Sequence, residues 1–89
     1  MAYQVQNDRF LTKPLVVAVG LANMTIDSLR AAAVFIEQHG TQALHWQTAA
    51  VAVEHADRDE KLLDHATKSL ENALLTDGFI KPPGPSKQP

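Results

Sequence analysis

The run between Leu15 and Val19 is apolar at every position, and Gly20 ends it. Short apolar runs of this kind, closed by a turn residue, are typical of buried β-strands. Because successive side chains of a strand point to opposite faces, the run predicts a strand that is covered on both faces. Its backbone N–H and C=O groups also need partners, so the strand must pair within the chain or with another chain.

The residues after this run predict the second strand of a hairpin. The polar residues Asn23 and Thr25 alternate with the apolar residues Ala22, Met24 and Ile26. Alternation with a period of two is typical of a strand with one buried face. Gly20-Leu21 lies between the two segments and fits a two-residue turn with glycine first. We therefore expect a hairpin whose other edge, along residues 15–19, pairs with a second copy of the chain to form a homodimer.

A helical pattern begins directly after the hairpin. Asp27 or Ser28 can accept a backbone N–H as the N-cap of this first helix. The pattern continues to His39, and Gly40 is expected to end the helix. The expected core-facing stripe consists of Leu29, Ala32, Ala33, Phe35 and Ile36.

The second helix is predicted to run from Thr41 or Gln42 to Ala56. Its buried side is narrow and rich in alanine, which lets a neighbouring helix approach closely. Trp46 provides one large apolar anchor near the start of this helix.

A third helix is predicted to start at Asp57 and to stop at Gly78. Asp57 and Glu60 have the spacing of a capping box, in which side chains satisfy the free N–H groups of a helix start. Leucine and alanine then recur at helical spacing as far as Leu74. The sequence thus predicts an α+β fold, mostly helical, in which a short N-terminal β-hairpin is followed by three α-helices.

Residues 10–80 are expected to form a single domain, preceded by a flexible arm over residues 1–9. Residues 81–89 contain four of the five prolines and are expected to form a disordered tail. A domain of this size buries only about 60–65 per cent of its unfolded surface. Its stability is therefore expected to gain from a metal ion or from a partner chain.

Composition narrows the classes of function. The chain has no cysteine, which excludes disulfides and suits the reducing cytoplasm. Its formal net charge is −2 and its basic residues are scattered, so nothing favours binding to nucleic acid. No apolar segment has the length of a membrane span. We expect a cytoplasmic protein that binds neither nucleic acid nor membrane.

Export is the alternative that has to be weighed against a cytoplasmic location. Arg9 and Lys13 precede the apolar run, as basic residues do in a signal peptide. The run is short for such a peptide, however, and Asp8 and Pro14 do not fit the pattern. The buried strand is the preferred interpretation.

Histidines and carboxylates suggest one site for a metal ion. His55 and His65 flank the junction between the second and third helices, with Asp57 and Asp59 between them. The two histidines are ten residues apart, so only tertiary folding can bring them together, unlike the ligands of a helical H-E-x-x-H motif. These four residues are the candidate ligands of a metal-binding protein or metal-dependent enzyme, and surface histidines explain the pattern equally well.

Motifs for catalysis, cofactor binding and DNA binding are not found. The chain has no cysteine nucleophile, no G-x-S-x-G around Ser28 or Ser69, and no glycine-rich phosphate loop. The predicted second helix carries no lysine or arginine, so it is a poor DNA-recognition helix. We expect no catalytic residues and no cofactor.

Small and apolar residues occur in a definite order along most of the chain: Phe10, Pro14-Leu15-Val16-Val17, Gly20, Ile26-Asp27-Ser28, residues 32–36, His45, Ala49, Ala66, Leu70, Ala73 and Gly78-Phe79-Ile80. In this order the chain resembles the small bacterial family known as domain of unknown function 982, over about residues 10–80. Members often show a Trp-Pro pair after the first helix and a cysteine in the second, whereas this chain has His39-Gly40 and, near the latter place, Val53. The resemblance implies a hairpin followed by helices, and it carries over no activity and no catalytic residue.

The preferred functional interpretation is a small non-enzymatic interaction or regulatory module that self-associates. It depends on the strand that is apolar at every position and on the small predicted core. The alternative is the metal site at His55 and His65.

Overall fold

The computed structural model describes residues 6–80. An antiparallel hairpin of β1 (Phe10–Val19) and β2 (Ala22–Ser28) is followed by three helices, α1 (Leu29–His39), α2 (Leu44–Arg58) and α3 (Leu63–Thr76). A 3-10 turn, Glu60–Leu62, joins α2 to α3. The predicted α+β fold is confirmed. The predicted tail, residues 81–89, lies outside the described residues, as do residues 1–5 of the predicted arm.

Gly20 and Leu21 connect the two strands, as the sequence predicts. Gly20 has a φ of 63°, and no other residue type in the described chain has a positive φ. A positive φ at the first central residue and a negative φ at the second are the pattern of a type II′ turn, whose twist matches that of the flanking strands. Beyond this turn Val19 faces Ala22, and Leu15 faces Ile26.

Among residues 6–80, helices cover only one face of the hairpin. Leu15 and Val17 are buried in the core that the hairpin forms with the helices, whereas Val16 between them is 59% exposed. The prediction that residues 15–19 are covered on both faces is therefore wrong for the part of the chain that the structure describes. An apolar run cannot distinguish a strand between two layers from a strand whose outer face is apolar but uncovered.

The start and end of α1 agree with the sequence prediction. The Ser28 hydroxyl accepts a hydrogen bond from the backbone N–H of Ala31 at 3.2 Å, which confirms Ser28 as the N-cap. The helix ends at His39, and Gly40 follows with an ordinary φ of −71°. A Cβ at Gly40 would lie 2.5 Å from the carbonyl oxygen of Ile36, so this position needs glycine for space and not for a left-handed turn.

The boundary between the second and third helices differs from the prediction. α2 continues past Asp57 to Arg58, so the prediction of Asp57 as the cap of the third helix is wrong. Asp59 instead caps the 3-10 turn that leads into α3, because its carboxylate accepts the backbone N–H of Lys61 at 3.0 Å. Capping-box spacing favours Asp57 because Glu60 lies three residues on, but the carboxylate of Asp57 is bonded to Gln6 and Asn7 instead.

The end of α3 turns the chain back onto the hairpin. Gly78 adopts a φ of 81°. The N–H of Gly78 donates to the carbonyl of Leu75 at 3.2 Å, and the N–H of Phe79 donates to that of Leu74 at 2.9 Å. This pair of bonds is a Schellman motif, which satisfies the last carbonyls of a helix. Phe79 and the half-buried Ile80 therefore fold back onto the core.

The core lies between the inner face of the hairpin and the three helices. Trp46 and Phe35 are its largest side chains. The indole N–H of Trp46 donates to the carboxylate of Asp77, so the one polar atom of this buried ring has a partner. No helix within residues 6–80 is long and apolar enough to cross a membrane.

Candidate functional site

The outer edge of β1 is occupied by other parts of the same chain. The N–H of Ala18 donates to the carbonyl oxygen of Phe79 at 2.9 Å. Nearer the start of the strand, the N–H of Thr12 donates to the hydroxyl of Thr67 on α3 at 3.1 Å. Lys13 adds an ion pair with Glu71 at 2.9 Å. The chain itself thus contacts β1 on the side where the sequence predicts a second copy.

The outer edge of β2 is open over the part of the chain that the structure describes. The sheet has two strands, and no backbone group of residues 6–80 bonds to β2 from its outer side. In a two-residue hairpin the residues beside the turn exchange hydrogen bonds, and bonded and non-bonded pairs then alternate. Val19 and Ala22 are such a bonded pair, so the backbone groups of Asn23 and Thr25 point away from β1. We call this side of β2, at Asn23 and Thr25, the open edge.

The same alternation explains the contact on the opposite side of the hairpin. Ala18 faces Asn23, so its N–H also points away from the partner strand, and it is this N–H that Phe79 binds. On β1 the outward N–H of Ala18 therefore has a partner, whereas the outward backbone groups of Asn23 and Thr25 on β2 have none within residues 6–80.

The side chains around the open edge are not those of a protected edge. Native sheets protect exposed edges with lysine, proline or bulges. β1 contains Lys13 and Pro14, together with a register irregularity between Phe10 and Leu15. β2 contains neither lysine nor proline, and Met24 near its middle is 43% exposed.

Asp57 is buried and holds the start of the described chain against the end of α2. It is only 4% exposed, and its two carboxylate oxygens accept the backbone N–H groups of Gln6 and Asn7. Arg9 adds a hydrogen bond from its Nε to the carbonyl of Ala56 at 3.1 Å. Residues 6–9, which the sequence places in the flexible arm, thus make several contacts with α2.

These contacts change the acidity of Asp57. Burial acts to raise the pKa of its carboxyl group, because the charged form loses hydration. The N–H groups of Gln6 and Asn7 and the charge of Arg9 act in the opposite direction and prevail, so the pKa lies below its usual value. Asp57 is therefore a structural anion whose oxygens are already bonded.

The predicted metal ligands do not come together as a set. His55 and His65 line one cavity of 360 Å³ between α2 and α3, so folding brings these two side chains to the same place. Asp57 and Asp59 do not line that cavity. Among residues 6–80 no group of three or more histidine, cysteine, aspartate or glutamate side chains is arranged to hold a metal ion.

A second cavity, of 450 Å³, continues the first along the same two helices. Leu44, Thr48 and His65 line both cavities, so the two form one continuous groove. We call it the helical groove. On the α3 side its lining includes Lys68, Ser69 and Asn72. The sequence shows no signal for this groove, because the exposure of Leu44 and Val51 on α2 is known only from the structure.

Comparison with protein-family models, with curated proteins and with solved structures finds no match to this chain. The resemblance to domain of unknown function 982 therefore stays an expectation from the sequence. The proposals for function therefore depend on the geometry of the open edge and of the helical groove.

Proposed function

We propose that the protein is a small non-enzymatic interaction module that self-associates through the open edge of β2. The observation that carries this proposal is the unpaired outer side of a two-stranded sheet. The expected site of pairing moves from residues 15–19 to β2, because Ala18 on the first strand already binds Phe79. The partner is a second copy of the chain.

Two copies of β2 are complementary to each other in one antiparallel arrangement. With the two-fold axis at Met24, Asn23 of each copy faces Thr25 of the other. The backbone groups of these residues point outward, so the two pairs exchange four hydrogen bonds. The two Met24 residues then face each other as a non-hydrogen-bonded pair, whose side chains approach most closely. The exposed part of Met24 becomes buried in the dimer.

The result is one four-stranded antiparallel sheet made from two hairpins. A two-stranded hairpin is marginal by itself, and additional strands stabilise it. Each hydrogen bond contributes about 0.5–1.5 kcal/mol net, and each cross-strand side-chain pair about 0.2–1 kcal/mol. These small increments, set against the entropy lost on association, support a weak dimer, with a Kd on the order of 10–100 µM.

Light scattering across that concentration range tests the proposal, and replacement of Thr25 by proline tests its location. The N–H of Thr25 points away from β1, so Thr25→Pro removes a donor that only a neighbouring strand uses and leaves the hairpin bonds in place. Thr25→Ala keeps the N–H and is the matched control. We expect Thr25→Pro to be a folded monomer and Thr25→Ala to dimerise. A wild-type chain that stays monomeric well above 100 µM, or equal dimerisation of both variants, contradicts the proposal.

Metal binding at His55 and His65 is the competing proposal, supported by the cavity that the two side chains share. Structural zinc sites use four protein ligands and catalytic sites three, whereas these residues provide two imidazoles. Further donors would have to come from outside residues 6–80 or from another molecule. Self-association has the stronger support, because its bonding groups are all on the described chain.

A further inference from the structure

Two rows of side chains line the helical groove, one ridge on α2 and one on α3. On α2 the lining residues Leu44, Thr48, Val51 and His55 recur at intervals of four, three and four. On α3 the lining residues His65, Lys68, Ser69 and Asn72 recur at intervals of three, one and three. Both series follow one face of a helix. From Leu44 to His55 the α2 ridge is about 16 Å long, which is three helical turns.

The two sides of the helical groove, one formed by α2 and the other by α3, differ in polarity. Leu44 is 77% exposed and Val51 is 48% exposed, so the α2 side presents apolar surface to solvent. The α3 side is polar, with Lys68 as its one permanent charge. The residues lining the two cavities include no aspartate or glutamate, so any carboxylate placed there meets histidine and lysine without an opposing acid in the lining.

Two acidic residues near the helical groove, Asp64 and Asp77, are each bonded to a residue that lines it. Lys68 forms an ion pair with Asp64 at 3.2 Å, and both side chains are largely exposed. Exposed pairs of this kind contribute little, so Lys68 can exchange this partner for another acid. His45 lies 3.0 Å from Asp77, which also binds Trp46, so that carboxylate is occupied by contacts within the chain.

These features fit a helix better than a strand or a small molecule. The groove has no free backbone edge, so a strand would find no hydrogen-bonding partners there. It is long and open along one side, whereas small-ligand sites bury most of their ligand.

We propose that the helical groove binds an amphipathic helix of a partner protein, with an apolar stripe that packs on Leu44 and Val51 and with acidic residues that face Lys68. The helix is about three to four turns long and lies along α2 and α3 as a third helix of a bundle. This binding mode is separate from the open edge, which is on the hairpin.

Two designed peptides of about fourteen residues test the proposal. Both carry the same leucine stripe and a fluorescent label, and one has glutamate beside the stripe where the other has lysine. Fluorescence anisotropy is measured with the full chain and with its Thr25→Pro variant, so that failure of self-association does not affect the result. We expect the glutamate peptide to bind both proteins about two- to fivefold more tightly than the lysine peptide. Equal binding of the two peptides, or no binding of either, overturns the proposal.

Substitutions locate the peptide on the protein. Val51→Glu places an acid in the groove, and Val34→Glu on α1 is the matched control, because Val34 is 45% exposed on another helix. We expect Val51→Glu to weaken binding of the glutamate peptide at least tenfold and Val34→Glu to leave it unchanged. Lys68→Glu is expected to reduce the preference for the glutamate peptide.

Two results contradict the proposal. Saturable binding of octanoate without peptide binding overturns it in favour of a small-molecule site. Equal effects of the two valine variants overturn the location.

Discussion

The backbone N–H of Ala18 donates to the carbonyl oxygen of Phe79 at 2.9 Å, and these two residues are separated by most of the domain. Together with the contacts of Thr12 and Lys13 to α3, this bond occupies the β1 side of the hairpin. Phe79 reaches Ala18 because Gly78 reverses the chain at the end of α3. The turn at Gly78 thus gives the first edge of the sheet a partner at Ala18, whereas the outward groups of Asn23 and Thr25 on the second edge have none within residues 6–80.

Replacement of Gly78 tests that link. At a φ of 81° an alanine is expected to cost about 1–2 kcal/mol, whereas asparagine tolerates the left-handed conformation better. Gly78→Ala should lower Tm by about 4–8 °C per kcal/mol lost, and Gly78→Asn should lower it less. Hydrogen exchange should accelerate more at the amide of Ala18 than at that of Val17, which bonds within the hairpin. Unchanged exchange at Ala18 would show that the contact with Phe79 does not persist in solution.

Cysteine cross-linking tests the proposed two-fold axis. The natural chain has no cysteine, so each single substitution provides one thiol. Opposed residues of a non-hydrogen-bonded pair have Cα atoms about 4.5 Å apart, which is within disulfide range. We expect Met24→Cys to form a disulfide-linked dimer under mild oxidation. Val16→Cys is the control. Val16 is 59% exposed on the outer face of β1, away from the proposed axis, so this variant should cross-link slowly. Similar rates for the two variants would argue against the axis at Met24.

The buried carboxylate of Asp57 makes stability depend on pH. Its pKa is lowered in the folded chain, so its stabilising contribution is complete above the unfolded pKa of about 3.9 and is lost as pH falls through the folded value. Asp57→Asn should cost about 1–3 kcal/mol near neutral pH, because the amide group is a poor partner for two N–H donors.

Chemical denaturation at neutral pH and below pH 4 or so checks this prediction. The stability difference between wild type and Asp57→Asn should shrink in acid. Asp59→Asn is the control, since asparagine also serves as an N-cap and Asp59 is exposed. A difference that stays constant across this range of pH would mean that Asp57 does not titrate in the way that its contacts predict.

Zinc titration decides the competing metal proposal. We expect zinc to leave Tm unchanged, because His55 and His65 are two ligands where a stable site takes three or four. Calorimetry on the wild type and on a His55→Ala, His65→Ala double variant provides the check. A rise in Tm that the double variant abolishes would establish the metal site and would remove the main objection to it.

Features whose cause is local could be predicted from the sequence. Ser28 caps α1 through an N–H three residues away, and Gly20 shapes a turn between adjacent strands. The role of Asp57 could not be predicted, because its partners Gln6 and Asn7 lie about fifty residues earlier and contribute only backbone N–H groups, which every sequence has. Spacing alone therefore assigned the cap to the wrong aspartate.

The two candidate surfaces likewise depend on contacts between distant residues, which the sequence alone does not show. The hairpin was predictable, but the choice of its open edge depends on the distant carbonyl of Phe79. His55 and His65 share a cavity only because α2 and α3 pack side by side. The alternation of outward N–H groups that starts at the turn was available from the sequence once the turn was placed, and it would have identified Asn23 and Thr25 as outward on β2.

The contacts of Asp57 and Phe79 have a consequence for biosynthesis. The backbone N–H of Gln6 has its hydrogen-bond partner only once Asp57 has been synthesised. The N–H of Ala18 on β1 has its partner only once Phe79 has been synthesised. A chain that emerges from the ribosome with its N-terminus first therefore has an unfinished sheet until almost all of the domain has been translated. Contacts with such large sequence separation slow folding. During that interval both edges of the hairpin are exposed, and this is when a nascent chain is most in need of protection from pairing with the wrong strand.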